Sequence, residues 1–307
     1  MNPRCLACYE KLEVSSYHPS CVKRVFGVSW IPTFDFAQKD FGLLAQKMAG
    51  QMSISGVQPK ITVGLNKKNK NFEIFPSGGS YILKPQTQTY EHLPENEDLC
   101  MHLAKVYEII IPTHTLVKTA DGVLAYLIKR FDILEDGHRL PVEDFGQILG
   151  MPAERKYSGS YEAIAKGILQ YCSNKYLELT RFFERLLFCF VLGNGDMHLK
   201  NFSLVTYPDQ TVVLSPAYDL LSSKLVIPDE EDLPISLLGK KNKLKGQDFL
   251  NFGDQLGLAR KAMKNSIERL LSLVPQFQEW VQKSFLLEEE KENLNVIIDA
   301  RANRLKS

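Results

Sequence analysis

The chain has 307 residues, with 37 basic and 36 acidic side chains, a formal net charge of +1, 44% hydrophobic residues and 24% charged ones. That balance excludes a disordered or fibrous chain and any whole-molecule attraction to polyanions. The longest apolar run, Leu186 to Gly193, is far too short to cross a bilayer, and the first residues lack the pattern of a signal peptide. The expected compartment is the cytoplasm, with no membrane partner.

The first element is a Cys/His cluster within an amino-terminal extension, residues 1–45. Cys5-x2-Cys8 followed by His18-x2-Cys21 has the spacing of a structural zinc site, closed by four ligands and without an open catalytic position. Plain burial of small thiols is the competing reading, as expected for Cys100, Cys172 and Cys189 in apolar segments. Residues 46–135 are rich in strands. A turn at Ser53 to Gly56 leads into a strand, Asn66 to Asn71 is a polar hairpin tip, and Phe72–Phe75 and Tyr81–Lys84 are further strands. Pro94-Glu95-Asn96-Glu97 opens a helix: proline suits its first turn, and acids suit the positive end of its dipole. Ile109-Ile110-Ile111 reads as strand-like, and a hairpin turns about Asp121-Gly122.

Residues 136–307 turn helical. Tyr161–Cys172 fits a helix, and Leu177–Leu192 is apolar enough on all sides to be a buried one. Asn194-Gly195 is a turn signal. Two short strands, Phe202–Tyr207 and Thr211–Leu214, run into Ser215-Pro216-Ala217-Tyr218-Asp219, and helices follow at Ala259–Val274, Phe277–Leu287 and Lys291–Lys306. A strand-rich half before a helical half predicts an α+β chain of two lobes. The basic run Lys240 to Lys245 has no interleaved aromatics and reads as a solvated loop, so no direct nucleic-acid binding is expected.

The chemistry concentrates in Asn194-Gly195-Asp196-Met197-His198-Leu199-Lys200-Asn201. Phosphoryl transfer needs a positioned base, oxygen ligands for Mg²⁺ and cations on the phosphates. Asp196 and Asn201 have the D-x4-N spacing of a kinase catalytic loop. Asp196 can accept a substrate hydroxyl proton, Asn201 and Asp219 can hold the metal, and Lys200 can neutralise the transferred group. Lys84 at a strand end can reach ATP phosphates, Glu97 on the next helix can orient it, and Arg130-Phe131 lies at the junction of the two halves, where backbone groups could bind adenine. Taken singly, each motif is common; their order along the chain is what carries weight.

Several of these runs depart from ordinary protein kinases and resemble the HipA-like kinases of bacterial toxin–antitoxin systems. The matching residues are Ser53-Ile54-Ser55-Gly56-Val57-Gln58-Pro59-Lys60, Ile82 to Lys84, Pro94 to Glu97, Lys129 to Asp132, Asn194 to Phe202 and Pro216 to Leu221. The resemblance implies a HipA-like fold and an ATP- and Mg²⁺-dependent Ser/Thr kinase with Asp196 as base. Ser55 to Lys60 would form the phosphate-side loop and Lys129 to Phe131 the adenine hinge, with Tyr218 also on the nucleotide side. It implies autophosphorylation at Ser53 or Ser55, which would expel ATP by charge, and a protein substrate such as an aminoacyl-tRNA synthetase. The chain is similar to the short HipT type. That type implies two partners, a small protein resembling a missing amino-terminal subdomain and a DNA-binding antitoxin. A small-molecule kinase of the same fold and a pseudokinase scaffold are the alternatives.

Overall fold

The computed structural model describes residues 4–40, 59–75, 78–134 and 136–307. It divides into two compact units. The first comprises residues up to Leu99, then Pro112–Phe131 and Lys283–Leu286. The second comprises Cys100–Ile111, Asp132–Gln282 and Leu287–Ser307.

The first unit opens with helix α1 (Pro19–Phe26), begun by a proline at its first turn and ended by Gly27 in the left-handed conformation. Its sheet contains β1 (Thr33–Phe34), β2 (Ile61–Asn66), β3 (Asn71–Ile74), β4 (Tyr81–Lys84), β5 (His114–Lys118) and β6 (Leu124–Lys129) in the order β1-β3-β2-β4-β6-β5. The pairs are antiparallel except β1 with β3. The β2–β3 and β5–β6 turns fall at Asn66 to Asn71 and about Asp121-Gly122, where turn-forming residues had placed them. Ile61, Val63, Phe72, Tyr81, Leu83, Ala125 and Leu127 pack with Val22, Val25 and Phe26 of α1 into one core. Phe72 organises it, stacked on Phe34 at 4.6 Å and edge-on to Tyr81 at 5.3 Å.

The division between units falls inside helix α2 (Leu93–Val106). Ile109 to Ile111, expected to be strand-like, form no strand. Glu108 has a left-handed φ of +66°, which stops the helix, and Ile110 is 51% exposed.

The second unit holds β7 (Val142–Asp144), α3 (Phe145–Ile148), α4 (Tyr161–Tyr171), α5 (Lys175–Leu192), β8 (Ser203–Thr206) and β9 (Val212–Leu214), with a sheet ordered β7-β8-β9. Helices α6 (Gly246–Gln255), α7 (Arg260–Ser272), α8 (Val274–Lys283) and α9 (Glu288–Leu305) follow. Along α5, Phe182, Phe183, Leu186, Leu187, Phe188 and Phe190 are buried, whereas Tyr176 and Leu177 at its start are exposed. Gly193 caps the helix with φ +66°, and a Cβ there would approach Ile297 to 2.8 Å. That glycine turns the chain out of a buried helix directly into the Asp196 loop. In the basic run after β9, Lys240 is paired with Asp248 at 2.5 Å and Lys241 with Glu231 at 3.8 Å. Among the described residues no helix is long and apolar enough to cross a membrane.

Candidate active site

In the second unit, the loop after α5 is closed by its own polar atoms. The Asp196 amide donates to Asn194 Oδ1 at 3.1 Å, and the Asp196 carbonyl accepts from Asn201 Nδ2 at 2.9 Å and from the His198 amide at 2.8 Å. Tyr161 of α4 donates to the Met197 carbonyl at 3.0 Å. These bonds fix the backbone and leave the Asp196 side chain 45% exposed, as a base that meets a substrate must be. Its carboxylate accepts from the Tyr157 hydroxyl at 2.7 Å. Asn201 is buried with its amide nitrogen committed to Asp196, so its oxygen is the atom suited to a hard cation.

Asp219 follows β9 and has a left-handed φ of +54°, a costly conformation for a residue with a side chain. The approach to it is anchored from α5, where buried Arg185 donates to the Ser215 carbonyl at 2.6 Å. Burial pulls the Arg185 guanidinium down to about 10. Tyr218 lies 2.5 Å from Ser203 Oγ and donates to the Lys200 carbonyl at 3.1 Å, tying the Asp219 segment to the Asp196 loop. Asp196 and Asp219 share one electrostatic neighbour, His198. Burial pulls that imidazole down to about 4, against the opposing pull of both carboxylates. The Asn201 amide oxygen and the Asp219 carboxylate are donors that Mg²⁺ accepts, and the residues present fit that ion.

Several contributors were not singled out in the sequence. Asp144 caps α3 in a reciprocal box with Gln147, and its other carboxylate oxygen holds Lys200 Nζ at 2.8 Å. The S/T/D-x-x-Q signature at Asp144 was the available signal. Glu230 reaches Ser223 Oγ at 2.7 Å, and Ser223 Oγ in turn accepts from the Gly195 amide at 2.7 Å. A Cβ on Gly195 would lie 2.5 Å from the Glu230 carboxyl carbon, so glycine is what allows that approach.

In the first unit, Lys84 at the end of β4 and Glu97 on α2 form a buried pair, Nζ to the two carboxylate oxygens at 2.5 and 2.7 Å. Their side chains are 6% and 2% exposed, and Nζ lies 5.6 Å from the Tyr126 ring centre. Lys129 ends β6, its amide bonded to the Thr113 carbonyl, and the Arg130 amide donates to the Ser80 carbonyl. Pro59 and Lys60 precede β2. Ser53, Ser55, Gly56, Val57 and Gln58 lie outside the described residues. Cys5, Cys8, His18 and Cys21 are brought together, their ligating atoms all within 4.8 Å of one another.

Comparison with known proteins gives the class. Residues 52–277 match the HipA-like C-terminal domain, and the chain belongs to that family. A Haemophilus influenzae protein named as a candidate kinase is 29% identical over 289 residues, spanning 83% of this chain and 80% of its own length. The Sinorhizobium fredii candidate kinase Y4dM is 35% identical over 236 residues, spanning 71% of this chain and 55% of its own. The structure of Shewanella oneidensis HipA, in complex with HipB and operator DNA, superposes with a TM-score of 0.69 at 23% identity over 83% of this chain and 65% of that one. The Helicobacter pylori proinflammatory kinase CtkA superposes with a TM-score of 0.52 at 15% identity, over 73% and 86% of the two chains. The fold is therefore the two-lobed, kinase-like one, and by family and fold the chain is a HipA-like kinase.

Proposed function

We propose that the chain is an ATP- and Mg²⁺-dependent Ser/Thr protein kinase acting as the toxin of a toxin–antitoxin system. The observation that carries this reading is the Asn201 amide bonded to the Asp196 carbonyl, which closes a D-x4-N loop around a half-exposed carboxylate. Asp196 would take the proton of a substrate hydroxyl. The hydroxyl oxygen would bond the γ-phosphorus while its bond to the β-phosphate oxygen breaks, releasing ADP. Asn201 and Asp219 would hold Mg²⁺, which when bound neutralises charge on the phosphate oxygens. Lys84, oriented by Glu97, is assigned to the ATP phosphates, Lys129 to Phe131 to the adenine, and Ser55 to Lys60 with Tyr218 to the rest of the nucleotide. Lys200 is assigned to the transferred group, held back by Asp144 until a phosphate competes for it.

The reading extends to autophosphorylation at Ser53 or Ser55, to a translation component such as an aminoacyl-tRNA synthetase as substrate, and to the short HipT type. Its partners would be a small companion protein and a DNA-binding antitoxin. Support for the antitoxin is that Shewanella oneidensis HipA was solved with HipB and operator DNA. The test is intact-mass spectrometry after incubation with ATP and Mg²⁺, beside Asp196→Ala. Added phosphate on Ser53 or Ser55 in the wild type alone supports both kinase activity and the loop switch. No transfer to the chain itself or to added synthetases would sink the protein-kinase reading and leave a small-molecule kinase or a scaffold.

A further inference from the structure

The Cys/His cluster takes no part in the reading above. Cys5 and Cys8 sit on a tight knuckle: the Tyr9 amide donates to the Cys5 carbonyl at 2.9 Å, and Tyr9 has a left-handed φ of +62°. The Cys5 amide returns to the Glu10 carbonyl at 2.9 Å. His18 and Cys21 come from the start of α1, with His18 at its N-cap and Cys21 one turn in. Two separate backbone features thus aim three thiols and an imidazole at one point. Cys8 Sγ lies 3.4 Å from His18 Nδ1, and all four ligating atoms are within 4.8 Å of one another. In a zinc tetrahedron with Zn–S bonds of about 2.3 Å, ligand atoms stand roughly 3.8 Å apart, so closing the site needs a contraction of about 1 Å at most. Pairing two of the cysteines in a disulfide would leave a third thiol and His18 without a role.

Charge supports the same assignment. Zinc with three thiolates and a neutral imidazole carries a net negative charge. Arg24, a turn beyond Cys21, places Nη2 3.7 Å from Cys21 Sγ and 3.0 Å from the Ala7 carbonyl on the knuckle. It can offset that charge while tying the two halves of the site together.

What the site holds is the outer edge of the sheet. Strand β5 ends the order β1-β3-β2-β4-β6-β5 and would otherwise present unpaired backbone groups. The Leu6 carbonyl, between the two knuckle cysteines, accepts from the Leu116 amide at 3.2 Å and from Thr115 Oγ1 at 3.0 Å. Tyr17, next to His18, donates to the Leu116 carbonyl at 2.5 Å. The knuckle covers β5 with only a few backbone bonds; between the ligand pairs Tyr9 and Tyr17 are buried, whereas Val14 is 95% exposed.

We propose that Cys5, Cys8, His18 and Cys21 bind a structural Zn²⁺ that clamps residues 5–21 over the β5 edge. The test starts from the full chain, purified without chelator. It combines metal analysis, zinc release on titration with a mercurial, and cobalt exchange. About one zinc per chain is expected, with cobalt giving the absorption of a tetrahedral thiolate site. A strong chelator should lower Tm and start light-scattering aggregation as the edge is uncovered. His18→Cys should keep the metal, and His18→Ala should lose most of it. Less than about 0.2 zinc per chain in the wild type would overturn the proposal. So would a disulfide among these cysteines, or a Tm that a chelator leaves unmoved. Because the wild type is measured directly, the result does not depend on any variant folding, and none of these readouts involves kinase activity.

Discussion

The Lys84–Glu97 pair and the Asp196 loop carry charge in opposite ways. The pair is sealed, its side chains 6% and 2% exposed and joined by two short bonds. The Asp196 carboxylate is 45% exposed, and what is fixed is the backbone beneath it, by Asn194, Asn201 and Tyr161. A buried ion pair owes its geometry to its own partner, so it fails as a unit when one member goes. An exposed carboxylate on a braced loop can be removed with the brace intact. Structure and chemistry should therefore be inseparable at Lys84 and separable at Asp196.

Asp196→Ala breaks this contrast if it is wrong. Transfer should fall by about 10²–10⁴-fold, the usual value of a general base, with thermal unfolding close to wild type. Activity within a few-fold of wild type would remove Asp196 as the base. Lys84→Met tests the other side. It removes the cation paired with the buried Glu97 carboxylate, so stability should fall by about 3–5 kcal/mol in urea unfolding, along with activity. Lys84→Met with Glu97→Leu should recover much of the stability and none of the activity. Equal stability in the single and double variants would mean that the pair is not the sealed unit described.

The same contrast accounts for what the sequence reveals. The pair is legible because each member sits at an element end that local pattern marks: Lys84 closes an apolar strand, and Glu97 follows Pro94 into a helix. The order of Asp196, Asn201 and Asp219 is legible too, since a D-x4-N run followed by a short hairpin needs no long-range information. The braces are not. Tyr157 reaches Asp196 across 39 positions, and Asp144 reaches Lys200 across 56, distances over which periodicity is silent. Helix α6 was hidden for another reason: Gly246–Gln255 has weak intrinsic helicity, and buried Phe249 and Phe252 hold it through packing. Helix α1 was obscured because His18 and Cys21 drew attention as ligands rather than as a cap and a first turn.

A smaller effect refines the picture of the braced loop. Tyr157→Phe removes one hydrogen bond from the Asp196 carboxylate and nothing from its backbone. Transfer should change by roughly 3- to 30-fold, as expected for a single bond to a charged group. An unchanged fold and a shifted acid limb of the pH–rate profile would place Tyr157 in control of the carboxylate. An unchanged profile would reduce it to packing against His198.

The smallest expected effect separates two titrating neighbours of the loop by sign. Burial raises the Glu230 carboxyl to about 7, with Asp196 adding to the rise and the Ser223 hydrogen bond opposing it. A carboxyl raised in the folded chain binds a proton that the unfolded chain has released. Its contribution is full below the ordinary carboxyl value and is lost as pH rises through about 7. His198 runs the other way. Lowered to about 4, it contributes above its ordinary value near 6.5 and loses that contribution as pH falls toward 4. Urea midpoints of the wild type, Glu230→Gln and His198→Gln, taken between about pH 5 and 8, separate the two. Glu230→Gln should gain on the wild type at the alkaline end, where the wild type holds a buried charge that glutamine lacks. His198→Gln should gain on it at the acid end, where the imidazole is forced to protonate. Parallel curves for all three proteins would mean that neither group is held away from its ordinary titration, and that the ground beside Asp196 is wetter than its bonds imply.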